Sequence, residues 1–129
     1  MQRKTNRNIM IDNKSPKEQT VESKLTELVD TIVAKYTDGD DLPKRLLDAM
    51  LNNAEIEAIQ NYANNVSITR IGLNDHGPVH MKTVCRNALK MLSLLHEAGI
   101  ETSLEKEHAG TFADSVCGVM LAAMLHDSG

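Results

Sequence analysis

Apolar residues recur every three or four positions over much of the chain, which is the period of an amphipathic helix. The clearest stripe covers residues 21–36 and follows Ser15, Pro16 and Glu18, where serine can cap a helix, proline fits its first turn and glutamate can complete a capping box. Gly39 comes just after the stripe, at a position where helices often end on glycine. The sequence therefore predicts a first helix of roughly five turns.

Two shorter helices are predicted next, one from about Pro43 and one from about Ala54 to residues 64–65. The buried positions expected in the first are Leu46, Leu47, Met50 and Leu51, and those in the second are Ile56, Ile59 and Ala63. Residues 66–73 alternate in polarity like a strand. Because a lone strand has nothing to pair with among helices, we interpret them as an extended connector or a continued helix.

The second half of the chain predicts two further helices. Polar residues 74–77 and Pro78 are typical of a helix start, and Gly99 of a helix end. The core positions expected in this helix are Met81, Val84, Ala88, Met91, Leu92 and Leu95. Residues 100–110 are acidic and predict a loop or frayed turn, after which Thr111 and Asp114 can form a capping box. The last helix should bury Val116, Val119, Met120, Ala123 and Met124.

Composition supports an all-α fold. The 129 residues include one Phe, two Tyr and no Trp, so the core must come from aliphatic side chains and the seven Met residues. We expect one helical domain of about five helices over residues 15–129, preceded by a disordered basic tail at residues 1–14. No apolar run is long enough to span a membrane and no signal peptide is present, so we expect a cytoplasmic protein.

Charge and cysteine content narrow the functional classes. Residues 1–17 hold five of the 14 basic side chains and one of the 18 acidic ones, so the rest of the chain carries the negative charge. This distribution argues against a nucleic-acid-binding domain, which should present a basic folded surface. Cys85 and Cys117 lack metal-binding spacing and predict two buried thiols rather than a disulfide.

The residues that could carry chemistry lie at the starts and ends of the two long helices. Asp127 falls on the buried stripe of the last helix, where an unpaired carboxylate would be costly. His126 is its neighbour, and His80 lies near the start of the facing helix. Because facing helices of bundles can build metal sites, we predict that His80, His126 and Asp127 bind a divalent metal. The alternative interpretation is that His80 is an ordinary buried core residue and that Asp127 is exposed to solvent where the end of the last helix frays.

These motifs resemble those of the HD-domain metal-dependent phosphohydrolases. The similarity is carried by the run from Asn74 to His80 and by the run from Leu121 to Gly129, and it covers roughly residues 66–129. The resemblance implies that His80, His126 and Asp127 are metal ligands and that Asp127 also takes part in catalysis. It further implies hydrolysis of a small phosphorylated substrate or nucleotide, with Mn, Fe, Co, Ni, Zn or Mg as the metal.

The family pattern also includes a later Asp ligand that has no counterpart before Gly129. We therefore expect an HD-type bundle that is incomplete at its C-terminus, inactive as this chain alone and active as a complete protein. An incomplete bundle of this kind would expose apolar surface, and exposed apolar surface favours the formation of homo-oligomers. Two alternatives remain open: an HD-type regulatory or scaffold module without catalysis, and a helical bundle in which the motif is a coincidence.

Overall fold

The fold is all-α. A computed structural model describes residues 14–66 and 77–126, and this part of the chain contains six helices and no strand. The helices are α1 (Pro16–Tyr36), α2 (Leu42–Leu51), α3 (Ala54–Val66), α4 (Pro78–Glu97), α5 (Ser103–Lys106) and α6 (Phe112–Leu125). The all-α prediction is confirmed, and the segment expected to be a loop contains the short α5.

Local sequence signals fix most helix ends. The Ser15 side chain caps α1 by accepting a hydrogen bond from the backbone N–H of Glu18, and Thr111 with Asp114 forms a complete capping box at α6. Gly39 and Gly99 follow α1 and α4 with φ angles of 86° and 81°, which glycine adopts without steric cost. The predictions for Ser15, for Thr111 with Asp114 and for Gly99 are confirmed. At the end of α1 the C-cap is Thr37 and the residue that follows it in the left-handed region is Asp38, with a φ of 52°, so Gly39 lies one position beyond the predicted cap.

Helix α4 lies at the centre of the packing. It contacts α1 on one side and α6 on the other, while α2 packs against both α1 and α6. The core between them is aliphatic and includes Leu25, Val29, Leu89, Val116 and Met120. Helix α4 also contacts α3, so α1, α3 and α6 all pack against it.

The buried stripe of α4 differs from the prediction. Met91 and Leu95, expected in the core, are 65% and 46% exposed, whereas Cys85 and Leu89 are fully buried. In α3, Ile59 is likewise 39% exposed. The inward face of each helix is therefore displaced from the expected one and includes a polar side chain, Lys82 in α4 and Gln60 in α3, while Met81 is fully buried as predicted.

Lys82 is 3% exposed and belongs to an ion network between α4 and α1. Its Nζ lies 2.9 Å from the Oε2 of Glu18 and 3.0 Å from the Oε2 of Glu22. Lys14 approaches the same Glu22 carboxylate at 2.7 Å. Lys14 was assigned to the basic tail but is part of this packed network. Glu18 therefore pairs with Lys82 instead of completing the capping box expected for α1.

Both thiols are buried and unpaired, as predicted. Burial raises the pKa of Cys85 to about 12, so this side chain stays a neutral core thiol at physiological pH. Burial also raises the pKa of Cys117, with smaller contributions from the carboxylates of Asp114 and Asp40. Within the ranges that the structure describes, no helix combines the length and apolar character needed to cross a bilayer.

Candidate metal centre

Two of the three predicted ligands lie next to each other. His80 is in the first turn of α4, directly after the Pro78 that opens the helix, and His126 is the C-cap residue of α6. Their ring centroids are 5.5 Å apart, with an angle of 59° between the ring planes. His80 is half-buried and His126 is exposed, so the pair lies at the surface end of the α4–α6 contact. Packing of these two helices brings together residues 46 positions apart.

Asp127 and residues 67–73 of the connector predicted at residues 66–73 lie outside the described residues, so the prediction for this carboxylate stays a prediction. His76 also lies outside the described residues. Among residues 14–66 and 77–126, no group of three or more His, Cys, Asp or Glu side chains is arranged to hold a metal. The described part of the candidate centre is therefore the pair of imidazoles.

A backbone contact defines how His126 can bind a ligand. Its Nδ1 is 2.6 Å from the carbonyl oxygen of Ala123, one turn earlier in α6. Because a carbonyl only accepts, Nδ1 donates its proton in this contact, and in the neutral ring Nε2 is then the nitrogen with the lone pair. Metal-binding histidines are commonly oriented in this way, with one nitrogen donating to a carbonyl and the other facing the ion.

Gln60 fixes the same turn of α6 from the side. This α3 residue is 1% exposed, and its Nε2 donates to the carbonyl oxygen of Met124 at 2.9 Å. Two carbonyls at the C-terminus of α6, which helix geometry leaves without helical partners, are thus bonded to His126 and Gln60. The sequence analysis missed Gln60. Its position four residues after Ile56, on the inward side of α3, was the available signal.

The separation of the two rings suits a shared ion. With metal–nitrogen bonds of about 2.1 Å, the centres of two coordinating imidazoles lie roughly 5–6 Å apart. The pair also lies at the C-terminal end of α6, where the helix dipole favours positive charge. The donor set formed by two imidazoles, with Asp127 directly following His126 in the chain, is suited to a divalent transition metal.

Two other histidines have different surroundings. The ring of His96 stacks on Phe112, with centroids 4.0 Å apart, and meets the edge of Tyr36. It is therefore a packing residue at the far end of α4. His108 lies after α5 with a φ of 55° and lines a cavity of about 820 Å³ near the start of α6.

That cavity is rich in carboxylates and lies at the opposite end of α6 from His126. Its acidic lining residues are Asp38, Asp40, Glu101 and Glu105. Like charges repel, so a phosphate group would be disfavoured there. The large volume of this cavity is therefore not a reason to place phosphoester hydrolysis there.

Comparison with known proteins adds one relative. Over 88 residues the chain is 40% identical to an uncharacterized protein of Methanocaldococcus jannaschii; the match covers 68% of this chain and 34% of the relative. The chain thus corresponds to about a third of the relative's length. No protein-family model matches the chain, and no solved structure matches it.

Proposed function

We propose that this chain belongs to an HD-type metal-dependent phosphohydrolase, with His80, His126 and Asp127 as ligands of a divalent ion. The observation that supports the proposal most strongly is the 5.5 Å separation of the His80 and His126 rings. The two residues come from different helices, and their meeting was expected both from the packing of facing helices and from the family resemblance.

The protein's own residues would orient the ligands before metal binding. The Ala123 carbonyl accepts from Nδ1 of His126 and thereby holds the ring. Gln60 is a positioning residue, because it anchors the neighbouring Met124 carbonyl. When bound, a divalent ion would polarise a phosphoryl oxygen and make a water molecule a better nucleophile near neutral pH. Asp127 would bind the ion and orient that water.

The resemblance implies a further Asp ligand. We expect a chain without it to hold the metal weakly and to lack turnover, since incomplete coordination loosens the geometry. The substrate class that fits this chemistry is a small phosphate ester or nucleotide, in the cytoplasm. As an additional proposal, we expect the protein to form homo-oligomers, because apolar side chains of α4 such as Met91 are exposed.

The test is hydrolysis of a panel of phosphate esters and nucleotides by the protein as its natural gene encodes it. Chelator treatment should abolish turnover, and one or more of Mn²⁺, Fe²⁺, Co²⁺, Ni²⁺, Zn²⁺ and Mg²⁺ should restore it. His80→Ala and His126→Ala should each lower kcat by at least about 100-fold, since each removes a metal ligand. The control variant His108→Asn changes a histidine outside the pair and should keep full activity.

Undiminished turnover after chelation, or in the His80→Ala variant, would contradict the proposal. Metal bound by the histidine pair without hydrolysis of any ester would support the regulatory module instead. Equal metal content in wild type and both variants would indicate that the motif is a coincidence.

A further inference from the structure

A basic groove runs along the surface between α1 and α4. The helices are parallel, since Glu18 near the start of α1 meets Lys82 and Tyr36 at its end meets His96. Two adjoining cavities of about 390 and 360 Å³ lie in this groove and share Lys24 and Arg86. Lys17 lines the first cavity and Lys90 the second, so four cationic side chains follow one another along it.

These four cations differ from the lysines in the neighbouring ion network. Lys14 and Lys82 are paired with Glu18 and Glu22. Within the described part of the chain, Lys17, Lys24, Arg86 and Lys90 form no ion pair. The acidic residue that lines the groove is Glu27, in the second cavity. Arg86 is half-buried and, like the other three cations, has no ion-pair partner in the described part of the chain.

The periodicity of both helices produces the groove. Lys17, Lys24 and Thr31 are seven residues apart on α1, and Val79, Arg86 and Lys90 follow at helical spacing on α4. Between Pro16 and Thr31 the groove is roughly 20 Å long at the α-helical rise per residue. Its length and charge suit an extended anion better than a single phosphate.

We propose that the groove binds a linear oligophosphate chain. Phosphate oxygens match ammonium and guanidinium donors, and closely spaced phosphates can use several of the four cations together. A single-stranded nucleic acid fits less well, because its bases bind on aromatic side chains and the residues lining the groove include none. This proposal is independent of the metal centre, because neither cavity is lined by His80 or His126.

The experiment measures binding of inorganic tripolyphosphate and of orthophosphate by calorimetry, in the presence of EDTA so that no metal contributes. We expect tripolyphosphate to bind more tightly than orthophosphate and to weaken with added salt. The double variant Lys24→Gln/Arg86→Gln removes the two cations shared by the cavities and should raise the Kd about tenfold. The control Lys35→Gln/Lys106→Gln removes two exposed charges outside the groove and should change the Kd less than about twofold.

Further variants make the outcome decisive. Lys17→Gln/Lys90→Gln, at the two ends of the groove, should also weaken binding, while His80→Ala/His126→Ala should leave it unchanged. Equal affinity of wild type and the Lys24/Arg86 variant would overturn the proposal, and so would equal binding of orthophosphate and tripolyphosphate. If a thymidine oligonucleotide bound more tightly than tripolyphosphate and depended on the same cations, the ligand would be nucleic acid and the proposal would be wrong.

Discussion

His80 and Lys82 lie two residues apart at the start of α4 but have opposite surroundings. Lys82 is almost fully buried and meets two carboxylates of α1 within 3.0 Å. His80 is half-buried and faces a second imidazole, the exposed His126 of α6. One turn of helix therefore points one polar side chain into the α1 interface and the other towards the end of α6.

The contrast separates a structural polar group from a candidate functional one. Two carboxylates neutralise the charge of Lys82, and removing one partner of such a buried group leaves the others uncompensated. The His80–His126 pair juxtaposes two metal-binding groups near the surface, where an ion can enter. We therefore expect Lys82 to matter for folding and the histidines to matter for ligand binding.

The largest expected effect is on the Lys82 network. Lys82→Gln should lower the free energy of unfolding by about 3 kcal/mol, because Glu18 then remains in a largely buried site without a cation and Glu22 keeps only Lys14. Urea unfolding measures the change. The control Lys90→Gln, in the exposed part of the same helix, should cost less than about 0.5 kcal/mol. A decrease in the free energy of unfolding below about 1 kcal/mol for Lys82→Gln would show that water reaches the ion network. Lys82 would then not differ from the histidines in its importance for folding.

A smaller effect is expected at Gln60, which links stability to the candidate centre. Gln60→Leu deprives the buried Met124 carbonyl of its side-chain donor and should destabilise the fold by about 1–3 kcal/mol. It should also weaken metal binding about tenfold or more, since the turn that carries His126 loses an anchor. The control is Asn61→Leu at the exposed neighbouring position. Unchanged metal affinity in Gln60→Leu would mean that Gln60 stabilises the fold without positioning His126.

Local signals in the sequence predicted the helices and most of their ends. Ser15, Thr111 and Gly99 act through contacts within a few residues, so their positions could be inferred without the fold. The last helix was also oriented correctly, because Val116, Met120 and Met124 are buried as expected. The apolar side chains of these three residues lie on one face of this helix, so the sequence indicates clearly which face is buried.

The orientation of α4 could not be inferred in the same way. The expected stripe did not include Lys82 and extended to Met91 and Leu95, which are exposed. The partners of Lys82 are 60 and 64 residues away in sequence, so nothing local indicated that its charge would be compensated. Gln60 was missed for the same reason, because its acceptor is 64 residues away.

The histidine pair was predicted for a different reason. Neither hydrophobic period nor capping brings His80 to His126; the pairing was expected from the family resemblance and from the facing of two long helices. The resemblance also assigns a role to Asp127, whose position in the sequence next to His126 is consistent with a shared site.

Titration with Co²⁺, followed by visible absorption, tests the central claim most directly, because the ligand-field bands report coordination by nitrogen and oxygen donors. We predict one saturable site in the wild type, with the bands abolished in both His80→Ala and His126→Ala and retained in His96→Ala. Bands of equal intensity and affinity in wild type and His80→Ala would contradict the account, because the two imidazoles would then not share a metal.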